Sequence, residues 1–164
     1  MFRLRQLLAA AVLVLPLSAG AWSVKAEAAD IVEIAQSAGD FGTLVQAVTA
    51  ADLAGTLKGE GPFTVFAPTD AAFAALPEGK LDALLKPENK AELVKLLSYH
   101  VVAGKITSAE IAGKMSSLDT LEGGKVKVNS AGRITKVNKA AITQPDIMAS
   151  NGVIHVIDKV ILPK

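Results

Sequence analysis

Serine, histidine and aspartate, the residue types of a nucleophilic hydrolase, occur in this chain without the spacing of a known catalytic motif. Ser98 and His100 lie two positions apart, and Asp146 follows much later. A serine nucleophile on a strand-to-helix elbow needs the pattern Gly-x-Ser-x-Gly, which the sequence lacks. Only folding could bring the three residues together, and no motif supports that arrangement. We therefore expect no catalytic residues.

Metal and cofactor chemistry have equally little support in the sequence. The chain has two histidines, His100 and His155, and no cysteine, and the histidines are not spaced as His-x-x-x-His. The sequence also lacks the Gly-x-x-x-x-Gly-Lys phosphate loop and the glycine fingerprint of a dinucleotide-binding turn. We expect neither a metal nor another cofactor, and we expect a protein that is not an enzyme.

The first residues have the layout of a signal peptide. Two arginines lie within the first five positions, and an apolar run at residues 7–17 is too short to remain as a membrane anchor. Cleavage after Ala28 is favoured because Asp30 could then cap the first helix, and cleavage after Ala21 is the alternative. We expect residues 29–164 to form a single exported domain, periplasmic or extracellular, without a membrane anchor.

The charge of the expected mature domain argues against nucleic acid as a partner. The full chain has 17 Lys and Arg and 16 Asp and Glu residues. Removing residues 1–28 takes away three basic residues and one acid, leaving 14 and 15 and a net charge of −1. Nucleic acids and anionic lipid surfaces both select clustered positive charge. With no cysteine, an exported domain of this kind must be stabilised by its core alone.

The segment Phe63–Phe73 predicts a buried strand that ends at a proline and is followed by a short helix. Residues 63–67 are apolar and typical of a strand that is buried on both faces. Pro68 ends the strand because it lacks a backbone N–H. Thr69 and Asp70 can then offer side-chain oxygens to the free N–H groups of the following helix.

The C-terminal segment reads as a turn followed by a long strand. Asn151 and Gly152 both tolerate positive φ, which predicts a turn. Residues 153–162 are rich in β-branched side chains and predict one strand, with a bulge or a change of covered face near Asp158. Pro145 is expected to end the strand before this turn, with Asp146 turning or capping the backbone.

Helical periodicity comes first along the chain, and strand-like patterns come later. Apolar residues recur at helical spacing over residues 30–36, 41–51 and 87–99. From residue 100 onward, short apolar and alternating runs are separated by turn residues. This segregation is typical of the α+β class.

Three sequence blocks together resemble the fasciclin domain family. They are Phe63-Thr-Val-Phe-Ala-Pro-Thr-Asp-Ala-Ala-Phe73, the pair Tyr99-His100, and Ser150-Asn-Gly-Val-Ile-His-Val-Ile-Asp-Lys-Val-Ile-Leu-Pro163. The resemblance covers roughly residues 29–164, with Asp70 where the family often has Asn. It implies the fasciclin fold, a wedge of two β-sheets with several helices packed along its edge. It also implies adhesion as the function.

The resemblance also indicates two candidate partner-binding segments. Tyr99 and His100 match a Tyr-His element proposed for integrin recognition in animal fasciclin domains, although a buried, hydrogen-bonded His100 is the alternative reading. Gln144 precedes Pro145, Asp146, Ile147 and Met148, which resemble a Glu-Pro-Asp-Ile-Met element assigned to integrin binding in an animal member. The leader looks bacterial, and bacteria have no integrins, so another surface protein or an extracellular polymer is the expected partner.

Three functional hypotheses remain from the sequence. The favoured one is a secreted, non-catalytic adhesion or interaction module, for which self-association is one way to join two surfaces. The alternative is a carrier that holds a small apolar ligand, a lipid or a pigment, between helices and sheet. A hydrolase would need Ser98, His100 or Asp146 to converge.

Overall fold

Helices dominate the first part of the molecule and strands the second. The structure, a computed structural model, describes residues 29–59 and 61–163. The helices are α1 (Ile31–Ser37), α2 (Gly42–Ala50), α3 (Ala54–Leu57), α4 (Asp70–Ala74), α5 (Lys80–Leu85), α6 (Lys90–Tyr99) and α7 (Ser108–Ile111). The strands are β1 (Phe63–Pro68), β2 (Val101–Ala103), β3 (Met115–Asp119), β4 (Lys125–Asn129), β5 (Lys136–Val137), β6 (Ala140–Ala149) and β7 (Gly152–Ile157). This order confirms the α+β class. The signal peptide expected at residues 1–28 lies outside the described residues.

The strands are hydrogen-bonded in the order β2-β1-β7-β6-β5-β4-β3. Strands β1 and β7 run parallel, and the other neighbours run antiparallel. Strand β6 belongs to two sheets, because Ala140 and Ala141 pair with β5 while residues 142–149 pair with β7. The two sheets that share this strand are the expected wedge.

Strands β1 and β7 are buried on both faces, and each face contributes to a different core. Val65 of β1 and Ile154 of β7 pack with helices α1, α2 and α6 in the larger core. Phe66 and Ile157 point the other way, into a smaller core with the apolar residues of β4 and β5. Because successive side chains of a strand alternate between faces, these two strands form the layer that separates the cores. The prediction for residues 63–67 is confirmed.

The outermost strands, β2 and β3, are also connected to each other. Val102 of β2 forms an isolated antiparallel bridge with Thr120, just after β3. Leu121 N donates to Val101 O at 2.9 Å, which extends this contact. The smaller core is therefore enclosed on one side by β6 and on the other by this bridge.

The junction after β1 caps two helices, of which only one was predicted. Thr69 Oγ1 accepts a hydrogen bond from Ala72 N at 3.3 Å and so caps α4, as expected. Asp70 does not cap that helix. Its Oδ1 accepts from Thr43 N at 2.8 Å, in the first turn of α2, whose own N-cap Phe41 supplies no side-chain bond. The carboxylate therefore satisfies a helix start that the local sequence leaves open.

Asn151 connects three separate segments, and it does so without the expected positive φ. Its Oδ1 accepts from Ile31 N at 3.2 Å, and its Nδ2 donates to Leu57 O. Its backbone oxygen accepts from Phe63 N at 2.9 Å. The β6–β7 turn thus fixes the starts of α1 and β1 and the end of α3.

Gly152 is required for close approach rather than for a left-handed conformation. It pairs with Phe63 across the parallel β1–β7 ladder. A Cβ atom at this position would lie 1.8 Å from Phe63 O, far inside van der Waals contact. The prediction of a positive-φ turn residue was wrong, because the constraint on this glycine comes from the neighbouring strand.

The irregular part of the β6–β7 pair lies on β6, and its first bulge begins at the pair Ile142–Ile157, next to Asp158, where the sequence predicted a bulge. Strand β7 ends at Ile157, although the sequence predicted a strand to Leu162. Strand β6 continues through Pro145, which was expected to end it. The register shifts between Ile142 and Gln144 and again between Gln144 and Ile147, each time adding one residue to β6 relative to β7. Such bulges tolerate a proline that cannot donate to the ladder.

Replacing Gly152 with alanine should destabilise the protein severely. The added methyl group would force β1 and β7 apart, and we expect a loss of about 3 kcal/mol in the free energy of unfolding, the upper end for overpacking. Chemical denaturation measures this difference.

The matched control is Gly132→Ala, because nothing lies within 4 Å of a Cβ atom placed there. That variant should unfold like the wild type. Equal stability of Gly152→Ala and the wild type would contradict the close-approach explanation.

Candidate partner-binding site

Residues Gln144–Met148 form an exposed, bulged segment of β6, which we call the β6 bulge. Gln144, Pro145 and Asp146 are exposed, and the Met148 side chain is 53% exposed. Ile147 is half-buried and packs against the larger core. The bulge therefore presents a carboxylate and an apolar side chain to solvent while one aliphatic residue anchors it.

The carboxylate of Asp146 is held in place by Ser108 at the start of α7. Its Oδ1 accepts from Ser108 N at 2.7 Å, and its Oδ2 accepts from Ser108 Oγ. Asp146 has a φ of 56°, which aspartate tolerates better than most residues. Each carboxylate oxygen keeps a further lone pair, so the group can still accept a hydrogen bond from a partner.

The buried side chain of His155 holds the backbone of Asp146 in position. Asp146 N donates to His155 Nδ1 at 3.3 Å, and His155 Nε2 donates to Ile106 O at 2.8 Å. The His155 ring is fully buried and stacks on Phe66, with ring centroids 5.6 Å apart. Ile106 N in turn donates to Thr64 Oγ1 at 2.9 Å. This chain of bonds runs from β1 to the β6 bulge.

The environment of Asp146 keeps its carboxyl group ionised. Desolvation, the largest influence, raises the pKa of Asp146, but the side-chain and backbone hydrogen bonds from Ser108 and the proximity of His155 lower it. The net pKa lies below its ordinary value. The β6 bulge therefore carries a fixed negative charge at neutral pH.

The structure does not bring Tyr99 and His100 to the β6 bulge. Tyr99 is 6% exposed, and its hydroxyl donates to Lys125 O at 3.0 Å and accepts from Asn138 Nδ2 at 3.3 Å. His100 is 2% exposed at the end of α6. Direct recognition by either side chain would require local opening of the fold.

Both ring nitrogens of His100 are bonded to backbone groups. Nδ1 donates to Leu96 O at 2.7 Å, and Nε2 accepts from Ile161 N at 3.0 Å. This arrangement requires the neutral ring, because a second ring proton would face the Ile161 N–H. Burial lowers the pKa of His100 to about 4, against a smaller opposing effect of the bond to Leu96. The structure therefore agrees with the interpretation of His100 as a buried, hydrogen-bonded residue.

Ser108, Asp146 and His155 are a serine, aspartate and histidine in contact, and the sequence did not reveal this grouping. Their connections are not those of a hydrolase, where serine must bond to the imidazole. Here Ser108 Oγ bonds to the carboxylate, and both imidazole nitrogens of His155 bond to backbone groups. A histidine inside a run of buried β-branched residues was the available signal, since such a ring needs hydrogen-bond partners.

Two further features of the molecule bear on the type of site. Within residues 29–59 and 61–163, there is no cluster of three or more His, Asp or Glu side chains that could hold a metal ion. None of the helices in this described part is long and apolar enough to cross a membrane.

The fasciclin domain model matches residues 39–163. The chain belongs to the fasciclin domain family. It is 58% identical over 134 residues to Protein sll1483 of Synechocystis, covering 81% of this chain and 73% of that protein. It is 41% identical over 133 residues to the pig transforming growth factor-beta-induced protein ig-h3, covering 81% of this chain but 19% of that protein.

A solved structure supports the fold of this fasciclin domain. The FAS1 domain pair from the insect cell adhesion molecule Fasciclin I superimposes with a TM-score of 0.60. The match covers 76% of this chain and 46% of that one, at 16% sequence identity. It confirms the fasciclin fold that the sequence blocks implied.

The buried His100 should make the stability of the domain depend on pH. Its pKa is about 4 when folded and about 6.5 when unfolded, so the unfolded chain binds the proton more readily. The free energy of unfolding should therefore fall as the pH drops from about 6.5 to about 4, by about 3 kcal/mol from this residue alone.

Urea unfolding of wild type and His100→Gln at several pH values tests this expectation. Other groups titrate equally in both proteins, so the difference between the two stability curves isolates His100. The variant should be less stable at pH 7 and should approach the wild type near pH 4. Parallel curves over this range would contradict a neutral, buried His100.

Proposed function

We propose that this fasciclin domain is an exported, non-catalytic interaction module that binds a surface protein or a matrix polymer through its β6 bulge. The observation that carries the proposal is the Asp146 carboxylate, which is exposed, ionised and fixed by Ser108. Groups held in position before binding lose little conformational freedom on binding. Such a charge, beside an exposed Met148, is suited to recognition.

Family membership supports adhesion as the setting of this interaction. The structural neighbour is a domain pair from an insect cell adhesion molecule. The hydrogen bonds of Ser108, Asp146 and His155 stabilise the bulge rather than activate a nucleophile, which favours a binding role over catalysis. Export of the domain to the periplasm or the extracellular space follows from the leader-like first residues and belongs to the same proposal.

The cavity between α1, α2 and β1 does not support the alternative function, which is to carry an apolar ligand. This cavity is lined by aliphatic side chains and His100, and its volume is about 30 Å³. That is room for roughly one or two water molecules, far less than a lipid or a pigment needs.

Neutralising Asp146 should weaken surface binding. We expect labelled Asp146→Asn protein to bind producing cells or their isolated matrix at least about tenfold more weakly than wild type, the size of a lost charged hydrogen bond. Saturation binding at fixed ionic strength measures the change.

Asp158→Asn is the matched control. Asp158 is also exposed, and its carboxylate also accepts a backbone hydrogen bond, from Ala141 N at 2.8 Å. Saturable binding that is lost only in Asp146→Asn would support the β6 bulge as the site. Equal binding by all three proteins would move the site elsewhere, and no saturable binding by the wild type would refute the adhesion function.

A further inference from the structure

A groove of about 660 Å³ lies away from the β6 bulge and shares no residue with it. Three lysines line it: Lys125 and Lys127 from β4, and Lys139 from the turn between β5 and β6. Much of its apolar lining comes from the segment after β7, where Leu162 is 43% exposed. We call it the lysine groove.

The backbone that carries the lysines is held by Tyr99 and Asn138. Tyr99 OH donates to Lys125 O at 3.0 Å and accepts from Asn138 Nδ2 at 3.3 Å. Asn138 also accepts from Lys127 N through Oδ1 at 2.9 Å, and its own N–H donates to Lys127 O at 2.6 Å. Lys139 follows Asn138 directly, so all three lysines extend from one hydrogen-bonded frame.

The apolar lining is anchored as well. Ile161 is 4% exposed and packs in the smaller core, and its N–H donates to His100 Nε2. Its neighbours Val160 and Leu162 line the groove from this fixed point. The groove is therefore present before any partner binds, which favours binding.

Positive charge predominates in the groove. All three lysines are exposed, and one acid, the half-buried Glu122, also lines it. Lys125 Nζ lies 3.6 Å from Asp119 Oδ1, but both side chains are well exposed, at 69% and 78%. An exposed pair of this kind contributes little and exchanges readily with another carboxylate. The complementary occupant is anionic.

The spacing of the lysines matches an extended peptide. Val126 and Val128 of β4 are buried, so Lys125 and Lys127 both project from the opposite, exposed face. Their Cα atoms are two strand residues apart, about 6.7 Å, which is also the distance between alternate side chains of an extended peptide. The residues between them in such a peptide would project to the other side of its backbone, and aliphatic side chains suit a groove whose lining includes Val160 and Leu162.

We propose that the lysine groove binds an extended acidic segment of a partner protein, with carboxylates at alternate positions and aliphatic side chains between them. This interaction is additional to the one at the β6 bulge. It gives a single domain the second contact that joining two surfaces requires.

The probe is a fluorescent octapeptide of four Asp-Val repeats, titrated with the full chain at low salt. We expect Lys125→Ala/Lys127→Ala/Lys139→Ala to weaken binding at least about tenfold, because each exposed ion pair contributes up to about fivefold. The control Lys86→Ala/Lys90→Ala/Lys114→Ala removes three exposed lysines outside the groove, with the same change in net charge. It should alter the affinity by less than about twofold.

Two further ligands test the class of partner. A block peptide with four Asp followed by four Val has the same composition and should bind at least about fivefold more weakly. A carboxylated oligosaccharide of equal charge should also bind more weakly than the alternating peptide. Amide chemical shifts should change at residues 125–127, 138–140 and 160–162.

Three results would overturn the proposal. They are equal loss of affinity in both triple variants, equal binding of the alternating and block peptides, and tighter binding of the oligosaccharide. The lysine variants leave the β6 bulge intact, and Asp146→Asn leaves the groove intact. Failure here is therefore distinguishable from failure of surface binding at Asp146.

Discussion

Burial of β1 and β7 on both faces is the constraint on which the rest of the structure depends. Helices cover one face of this parallel pair, and the second sheet covers the other. The backbones come so close at Gly152 and Phe63 that no side chain fits between them. Each fully buried aliphatic side chain contributes about 1.5–3 kcal/mol, so a domain without disulfides can rely on this layer.

Polar side chains within this interior connect it to the surface. Thr64, His100 and His155 are all buried, and within the described residues every buried side-chain nitrogen or oxygen has a hydrogen-bond partner. Apart from Leu96 in α6, their partners are backbone groups of loops or of the β6 bulge: Gly104 and Ile106 after β2, Asp146 in the bulge, and Ile161 after β7. Unpaired groups would cost more than these bonds contribute, so the segments have few alternative positions. The same bonds therefore position both proposed binding surfaces.

The fold could be predicted because its signals are local. Residues 63–73 alone indicate a strand buried on both faces, a proline that ends it and a threonine that caps the next helix. The partners of Asp70 and Asn151 were not predictable, since their hydrogen bonds reach 27 and 120 residues along the chain.

The hydrophobic pattern also could not show that β6 continues through Pro145 by forming a bulge. A proline in a strand pattern normally indicates the end of the strand. The partner-binding interpretation of Tyr99 and His100 came from resemblance alone. The structure buries both side chains, as the alternative interpretation of His100 expected.

The bridge between Val102 and Thr120 has a consequence for proteins that work at high local concentration. Open sheet edges are templates for strand addition and for fibril growth. Here the two outermost strands of the order, β2 and β3, meet each other, so part of each edge is already occupied. A domain closed in this way can be crowded on a surface while its loops and bulges, rather than its sheet edges, make the contacts.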